Sequence, residues 1–391
     1  MPCLRLASGA RGRQEGFERM SGEAGDIPGL DPALDRAPFA RARWSRRSSE
    51  RPEAGSSGDR GGPTYAALDL GTNNCRLLVA RPAGDGFRVV DAFSRIVRLG
   101  EGVSLTGRLS DAAIERAMGA LAVCRAKMKN RGVTRARLIA TEACRAAENG
   151  AQFRARVADE LGLVLEVIDR ETEACLAATG CTPLIDPQAE GAVLFDIGGG
   201  SSEVVRLNRS QRMRRGPPLP RIRGWISLPT GVVTLAERHG GIDVTRASYE
   251  AMVDEVGTLL APFVSAHGGE GLRGLHMLGT SGTVTTIAGV HLDLKRYDRS
   301  RVDGCWMSAA EINAVVERLL AMSYDERVAS PCIGAERADL VLAGCAILEA
   351  IRRAFPSPRL RVADRGLREG MLVQMMREDG AWGGGQQAGA V

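Results

Sequence analysis

The sequence is poor in the residues on which several common chemistries depend. Its 391 residues include only three lysines, Lys127, Lys129 and Lys295, and none follows a glycine-rich loop. No GxxxxGK[ST] stretch occurs either, so a Walker-type nucleotide site is excluded. The four histidines are far apart, which gives no support to a histidine-based nucleophile system. Nine cysteines are scattered without a CxxC pair or a Cys–His cluster, so neither a disulfide framework nor a structural zinc site is expected. Cys75, Cys124, Cys144, Cys175 and Cys345 fall in apolar or helical patterns, where a reduced thiol behaves as a small hydrophobe. No run approaches the roughly 18 apolar residues that a membrane span requires. Arg5, Arg11 and Arg13 precede no apolar stretch of the secretory kind. The expected location is the cytoplasm, away from any membrane.

An apolar fraction of 44% and a charged fraction of 25% are those of a soluble globular protein. The length suggests two compact domains. The formal net charge of +5 is carried almost wholly by arginine. It gives no reason to expect a nucleic-acid partner, although local basic stretches suit a polyanionic substrate.

Residues 1–63 are rich in Gly, Ser, Pro, Arg and acidic residues with little apolar periodicity. They read as a disordered tail or an upstream extension of the reading frame. Order begins at Tyr65–Ala80 with an apolar strand, an Asp-x-Gly turn and a second apolar strand, and Phe87–Val97 continues as strand. Ser110 predicts an N-cap for a helix to about Asn130, stopped by Gly132. A strand at Arg137–Thr141, a helix at Ala151–Leu161, a strand at Leu163–Ile168 and a helix from Glu171 follow. The opening pattern then returns at Ala192–Val205, which suggests two halves on one plan. Arg206–Arg223, rich in Pro and Arg with no acidic residue, reads as a loop within a long hairpin, with a solvated face slightly favoured over a polyanion-steering one. Helices are expected near Thr245–His267, Ala309–Met322, Glu336–Ala354 and Gly366–Arg377, with strands at Gly274–Leu278 and Arg359–Val362. The fold class is α/β, each half a mixed sheet, because strands joined by a tight turn are antiparallel. The expected domains are 64–171 and 172–358, with 359–379 able to pack back on the first and 380–391 a loose tail.

Chemistry concentrates in the two turns. In Asp69-Leu-Gly-Thr-Asn-Asn-Cys-Arg76, Gly71 lets backbone N–H groups face an anion. Thr72, Asn73 and Asn74 add side-chain donors, and Arg76 adds a charge. Asp69 suits a metal ion or its water rather than phosphate. A plain β-turn with an Asx hydrogen bond explains one such motif equally well. The second copy, Asp196-Ile-Gly-Gly-Gly-Ser-Ser-Glu203, weighs against that explanation. Three glycines in β-rich sequence weaken a strand and are reasonable where a backbone must approach phosphate. Gly198, Gly199, Gly200 and Ser201 are candidate phosphate donors, and Asp196 and Glu203 candidate metal or water ligands. A third element, Gly279-Thr280-Ser281-Gly282, follows a strand and opens a helix, where N–H groups can reach substrate, though ordinary Ser/Thr capping also accounts for it.

Together these elements resemble the phosphate-1, phosphate-2 and adenosine-type motifs of the actin, heat-shock chaperone and sugar-kinase superfamily. More narrowly, Ala67–Arg76, Ala140–Asn149, Val167–Leu176, Phe195–Val204, Ser227–Leu235 and Val362–Leu372 resemble the exopolyphosphatase and guanosine pentaphosphate phosphohydrolase family, in its short two-domain form. The resemblance covers about residues 65–375. It implies two ribonuclease-H-like domains of the actin type with a cleft between them. It also implies metal-assisted hydrolysis of terminal phosphate from inorganic polyphosphate or guanosine pentaphosphate. Glu173 would be the general base, Asp69, Asp196 and Glu203 would hold Mg²⁺ and water, Glu203 would count among the catalytic groups, and Arg145 would reach phosphate. A homodimer is conceivable on the same ground. Two departures stand out, Cys175 and Thr234, where many members carry arginine. Without the resemblance, Glu171 and Glu173 could simply complement a helix dipole, and Arg337 is as readily a solvated surface residue as an anion contact. Two rivals remain: an ATP-dependent kinase on the same fold, for which no acceptor pocket or aspartate base is visible, and a non-catalytic alarmone sensor, which would not need a base.

Overall fold

The computed structural model describes residues 62–211, 213–268 and 274–382. The expected N-terminal tail, apart from residues 62–63, and positions 383–391 lie outside the described residues.

Two sheets share one strand order. The first contains β1 (Tyr65–Leu70), β2 (Asn74–Ala83), β3 (Gly86–Ile96), β4 (Arg135–Ala140) and β5 (Glu166–Val167), in the order β3-β2-β1-β4-β5. Its first three strands form an antiparallel meander, and β4 and β5 run parallel to β1. The second contains β6 (Gly191–Ile197), β7 (Ser202–Gln211), β8 (Leu219–Leu228), β9 (Leu275–Thr280), β10 (Trp306–Ser308) and β11 (Arg359–Ala363). Read as β8-β7-β6-β9-β11, it repeats the first order and adds β10 as an antiparallel edge. These are two mixed-sheet domains flanked by helices, of the ribonuclease-H-like, actin type.

The helices of the first half are α1 (Val103–Thr106), α2 (Asp111–Asn130), α3 (Glu142–Ala146), α4 (Gly150–Leu161) and α5 (Arg170–Cys181). Those of the second are α6 (Val232–His239), α7 (Arg246–His267), α8 (Ser281–His291), α9 (Arg299–Val302), α10 (Ala309–Ala321), α11 (Tyr324–Ala329), α12 (Val341–Ala354) and α13 (Leu367–Glu378). The Ser110 hydroxyl accepts from Ala113 N–H to start α2, and Gly162 ends α4 in the left-handed conformation, as the local residues dictate.

Apolar side chains of α2 and α4 cover one face of the first sheet, with Leu121, Phe153 and Val157 packed on Leu68 and Leu77. The other face receives α13, whose Met371, Leu372 and Met376 pack on Tyr65, Ala67 and Leu78. In the second sheet, α7, α8 and α12 build the largest core around Phe195 and Val284, and α5 covers the opposite face through Ala174, Ala178 and Cys181. The chain therefore exchanges helices: α5 leaves the first sheet and packs on the second, while α13 leaves the second and packs on the first. The two helices cross at glycine. A Cβ on Gly180 would lie 2.0 Å from Gly366 O, and one on Gly370 would lie 2.0 Å from Leu176 O.

Four local expectations are corrected. Only Glu166–Val167 of the expected strand 163–168 pairs with β4. Most of Arg206–Arg223 is strand rather than loop, because Leu207, Ile222 and Trp225 anchor β7 and β8 against the core under α5. The helix expected from Glu336 starts at Val341, with turns before it. Residues after 380 are not loose from the start, since the Trp382 indole N–H donates to Gly86 O at 2.8 Å. Among the described residues, no helix is long and apolar enough to cross a membrane.

Candidate active site

Asp69 and Asp196 occupy equivalent places near the carboxyl ends of the two central strands. Asp69 pairs across its hairpin with Arg76, and Asp196 pairs with Glu203, so one register position carries a cation in one half and an acid in the other. Parallel strands leave a crevice at their carboxyl ends, where ligands bind in open α/β sheets. Here that crevice encloses about 850 Å³ of space, its open mouth included. It is lined by Asp69, Gly71, Thr72, Asn73, Asn74 and Arg76 from the β1–β2 hairpin, and by Asp196, Gly198, Gly199, Gly200, Ser201 and Glu203 from the β6–β7 hairpin. Glu173, Thr280 and Ser281, also expected, line it as well.

The two turns abut each other. A Cβ on Gly199 would sit 2.9 Å from Thr72 Cβ and 3.2 Å from Asn73 N, so only glycine allows this approach. The β6–β7 turn is braced from behind, where Val232 N–H donates to Gly198 O at 2.9 Å and Val233 N–H to Gly199 O at 2.8 Å. These are first-turn donors of α6, satisfied by a distant turn in place of a side-chain cap. The Thr234 hydroxyl accepts from Gly231 N–H at 2.9 Å and closes the same helix start. Ser281, at the start of α8, has φ 82, a conformation that a non-glycine residue holds only under constraint.

Three expected residues lie off the cleft wall. Gly279 is interior to β9, where a Cβ would fall 2.5 Å from the Phe195 ring, so it serves packing. Gly282 sits beneath the Arg337 and Arg76 guanidiniums. Arg145 reaches carboxylates: it pairs with Glu142, bonds Ile168 O at 2.6 Å and lies 3.2 Å from Glu173 Oε2. Arg337 is half-buried rather than solvated, and it donates to Thr286 Oγ1 at 3.2 Å. Burial and the nearby Arg76 charge lower its basicity.

The acids strain one another. Burial raises Asp69, against the pull of Arg76 and Arg368. Burial lifts Asp196 to about 6 and Glu203 to about 7; the Asp196 charge adds to the latter, while Ser227 and Ser201 hydrogen bonds restrain it. Glu173 is raised well above the usual carboxylate range by burial and by Glu203, with Arg145 opposing. Such a set calls for positive charge. Among the described residues, no group of three or more His, Cys, Asp or Glu side chains converges at metal-ligand spacing, so Asp69, Asp196 and Glu203 form no closed cage. The amide oxygens of Asn73 and Asn74 are buried without a hydrogen-bond partner among the described residues. This donor set fits a hard cation such as Mg²⁺, which keeps several waters and takes one or two carboxylates together with phosphate oxygens.

Thr141, Glu142, Thr285 and the segment Asp364–Arg368 also line the cleft, and sequence reasoning had not singled them out as site residues. The signal that finds them is topological. Once β4 and β11 are parallel to the two Asp-bearing strands, the residues just past their carboxyl ends fall into the same crevice.

Duplicated mixed sheets, abutting glycine-rich turns and a crevice of buried acids define a two-domain protein of the actin-like class. The profile of the Ppx/GppA phosphatase family matches residues 78–379, and the chain belongs to that family. The match begins after the β1–β2 turn. Over 325 residues the chain is 29% identical to exopolyphosphatase 2 of Mycobacterium tuberculosis, covering 79% of this chain and 98% of that protein. The Aquifex aeolicus member of the Ppx/GppA family is similar in structure, with a TM-score of 0.66 at 28% identity over 81% of this chain and 98% of that one. An exopolyphosphatase from Cytophaga hutchinsonii shares the fold, with a TM-score of 0.73 at 24% identity and coverage of 81% and 98%. The protein is a phosphatase of this family.

Proposed function

We propose that the protein removes the terminal phosphate of inorganic polyphosphate, of guanosine pentaphosphate, or of both, with Glu173 as general base. The position of Glu173 carries the reading. The first turn of α5 delivers its carboxylate into the crevice that the two glycine-rich turns also line. A buried carboxylate pushed above its usual range is a better proton acceptor than an exposed one.

Gly71, Thr72, Asn73, Asn74 and Arg76 hold the phosphoryl group from one side, and Gly198, Gly199, Gly200 and Ser201 from the other. Thr280 and Ser281 at the α8 N-terminus face the next phosphoryl unit, with Arg76 and Arg337 close by. As the water oxygen bonds to the terminal phosphorus, its proton passes to Glu173, and the bridging P–O bond breaks with its electrons staying on the shortened chain. Little covalent chemistry falls to the protein, so positioning and charge supply most of the acceleration. Asp69, Asp196 and Glu203 would hold Mg²⁺ directly or through water, and the bound ion supplies the positive charge that acids and phosphoryl oxygens both require. The carboxyl group of Glu203 is kept in place by the Ser227 hydroxyl, which donates to its Oε1 at 2.8 Å.

Phosphate release from long-chain polyphosphate and from guanosine pentaphosphate, with Mg²⁺, tests this. Turnover of at least one substrate, falling 10²–10⁴-fold in Glu173→Gln, is the expected result. Turnover indifferent to Glu173 would refute the mechanism, and tight binding without release would favour the sensor.

A further inference from the structure

Two guanidiniums converge on one carboxylate at the edge of the cleft. Arg145 donates through Nε to Glu142 Oε2 at 3.0 Å and again through Nη2, and Arg170 Nη2 donates to Glu142 Oε1 at 3.0 Å. Glu142 lines the crevice, while neither arginine does. Its Cγ would stand 3.1 Å from a Cβ placed on Gly200, so the side chain lies between the arginines and the β6–β7 turn. Arg170 Nε is buried with no partner among the described residues, so the pair has donor capacity that Glu142 does not use. A carboxylate fork on two guanidiniums presents the same geometry as two oxygens of a terminal phosphoryl group.

We propose that Glu142 is a stand-in for the terminal phosphoryl group, occupying Arg145 and Arg170 until an anchored substrate displaces it, and so discriminates against free orthophosphate. The proposal rests on the reading of the cleft as a phosphoryl site. A chain held at its second phosphoryl unit meets Glu142 as an intramolecular competitor, at high effective concentration. Free orthophosphate faces the same cost of displacement without the binding energy of an anchor to offset it. The product therefore leaves easily while substrate stays. Glu142 acts through the two arginines as a specificity residue; it accepts no proton from the water.

Isothermal titration with Mg²⁺, using orthophosphate and the non-hydrolysable methylenediphosphonate, tests this without turnover. In Glu142→Gln the orthophosphate dissociation constant falls about tenfold, the size expected for losing one charge-assisted competitor. Methylenediphosphonate gains by a similar factor, because an anchored ligand that displaces Glu142 is relieved of the same displacement free energy. Glu142→Asp, whose shorter arm cannot span both guanidiniums, shifts the same way by less, and adding Arg170→Gln to Glu142→Gln cancels most of the gain. A purely structural Glu142 predicts the reverse: looser Arg145, and unchanged or weaker affinity for both anions. That result, or a gain that survives Arg170→Gln in full, overturns the proposal while leaving the phosphoryl site standing. Failure of the wild type to bind either anion overturns both.

Discussion

Glu203 accepts a hydrogen bond from Ser227 and is still pushed up to about 7, because burial outweighs the bond. A carboxyl group whose folded value lies above its unfolded one binds more protons in the native state. Its contribution to stability is therefore present below the unfolded value, near 4.3, and is lost as pH rises through about 7. Asp196, raised to about 6, acts in the same sense. These two acids should thus cost the metal-free protein stability as the pH rises from about 5 to about 8. Glu203→Gln should stabilise it by on the order of 3–4 kcal/mol at pH 8 and by about 1 kcal/mol at pH 5. Thermal melts in chelator at the two pH values check this, and equal shifts at both would contradict the charge argument. The sequence made the acids legible because each belongs to a repeated Asp-x-Gly hairpin or a recognised stretch. It did not make Arg337 legible: Glu336 and Asp339 flank it like a solvated helix start, whereas its guanidinium reaches Thr286 of α8, far away in sequence.

At the scale of elements, the long ones announced themselves and the short ones did not. The strand–turn–strand units and α2, α4, α7 and α10 carry periodicity and caps of their own, such as the Ser308–Glu311 box that opens α10. Helix α6 has no side-chain N-cap oxygen, because its first N–H groups bond Gly198 and Gly199 carbonyls. Helix α3 has five residues, too few for any pattern, yet it brings Glu142 and Arg145 to the site. The turn braced by α6 is the element on which positioning depends. Gly199 does not adopt a left-handed conformation, so alanine there strains contacts rather than backbone. Gly199→Ala must push the β6–β7 turn from Thr72 and Asn73 by a few tenths of an ångström or more. Its kcat should fall about 10-fold, and up to about 10²-fold if the turn moves by as much as about 1 Å. The circular dichroism spectrum should match wild type. Wild-type kcat in a folded Gly199→Ala protein would show that the turns need not abut.

Besides the abutting turns, two joins between the halves differ in character. The first is the crossing of α5 and α13, closed by glycine contacts and buried apolar side chains. The second is polar, where both terminal nitrogens of Arg98 reach Asp339 at 2.9 Å. Beside it Glu237 accepts from Gly102 N–H at 2.9 Å and from the Ser104 hydroxyl. The crossing is buried and permanent in character. The clasp is polar, with side chains of Arg98 and Asp339 about a quarter exposed (29% and 24%), so its net value is about 1 kcal/mol. Arg98 also holds φ 46, a left-handed conformation that has to be maintained by its partners. In a hinge closure, a polar clasp of this kind would set the balance between closed and open while the apolar crossing held. Arg98→Ala should therefore leave the melting temperature within a few degrees of wild type while shifting the balance toward the open form about fivefold, the ratio that 1 kcal/mol sets. KM for the hydrolysed substrate rises by up to that factor, since binding must now draw the domains together. Small-angle scattering should show a larger radius of gyration for the variant, and saturating substrate should return it to the wild-type value. An unchanged radius with a raised KM would mean that Arg98 acts on the adjacent β1–β2 turn, whose Asn73 carbonyl accepts Arg98 N–H at 3.0 Å, rather than on closure.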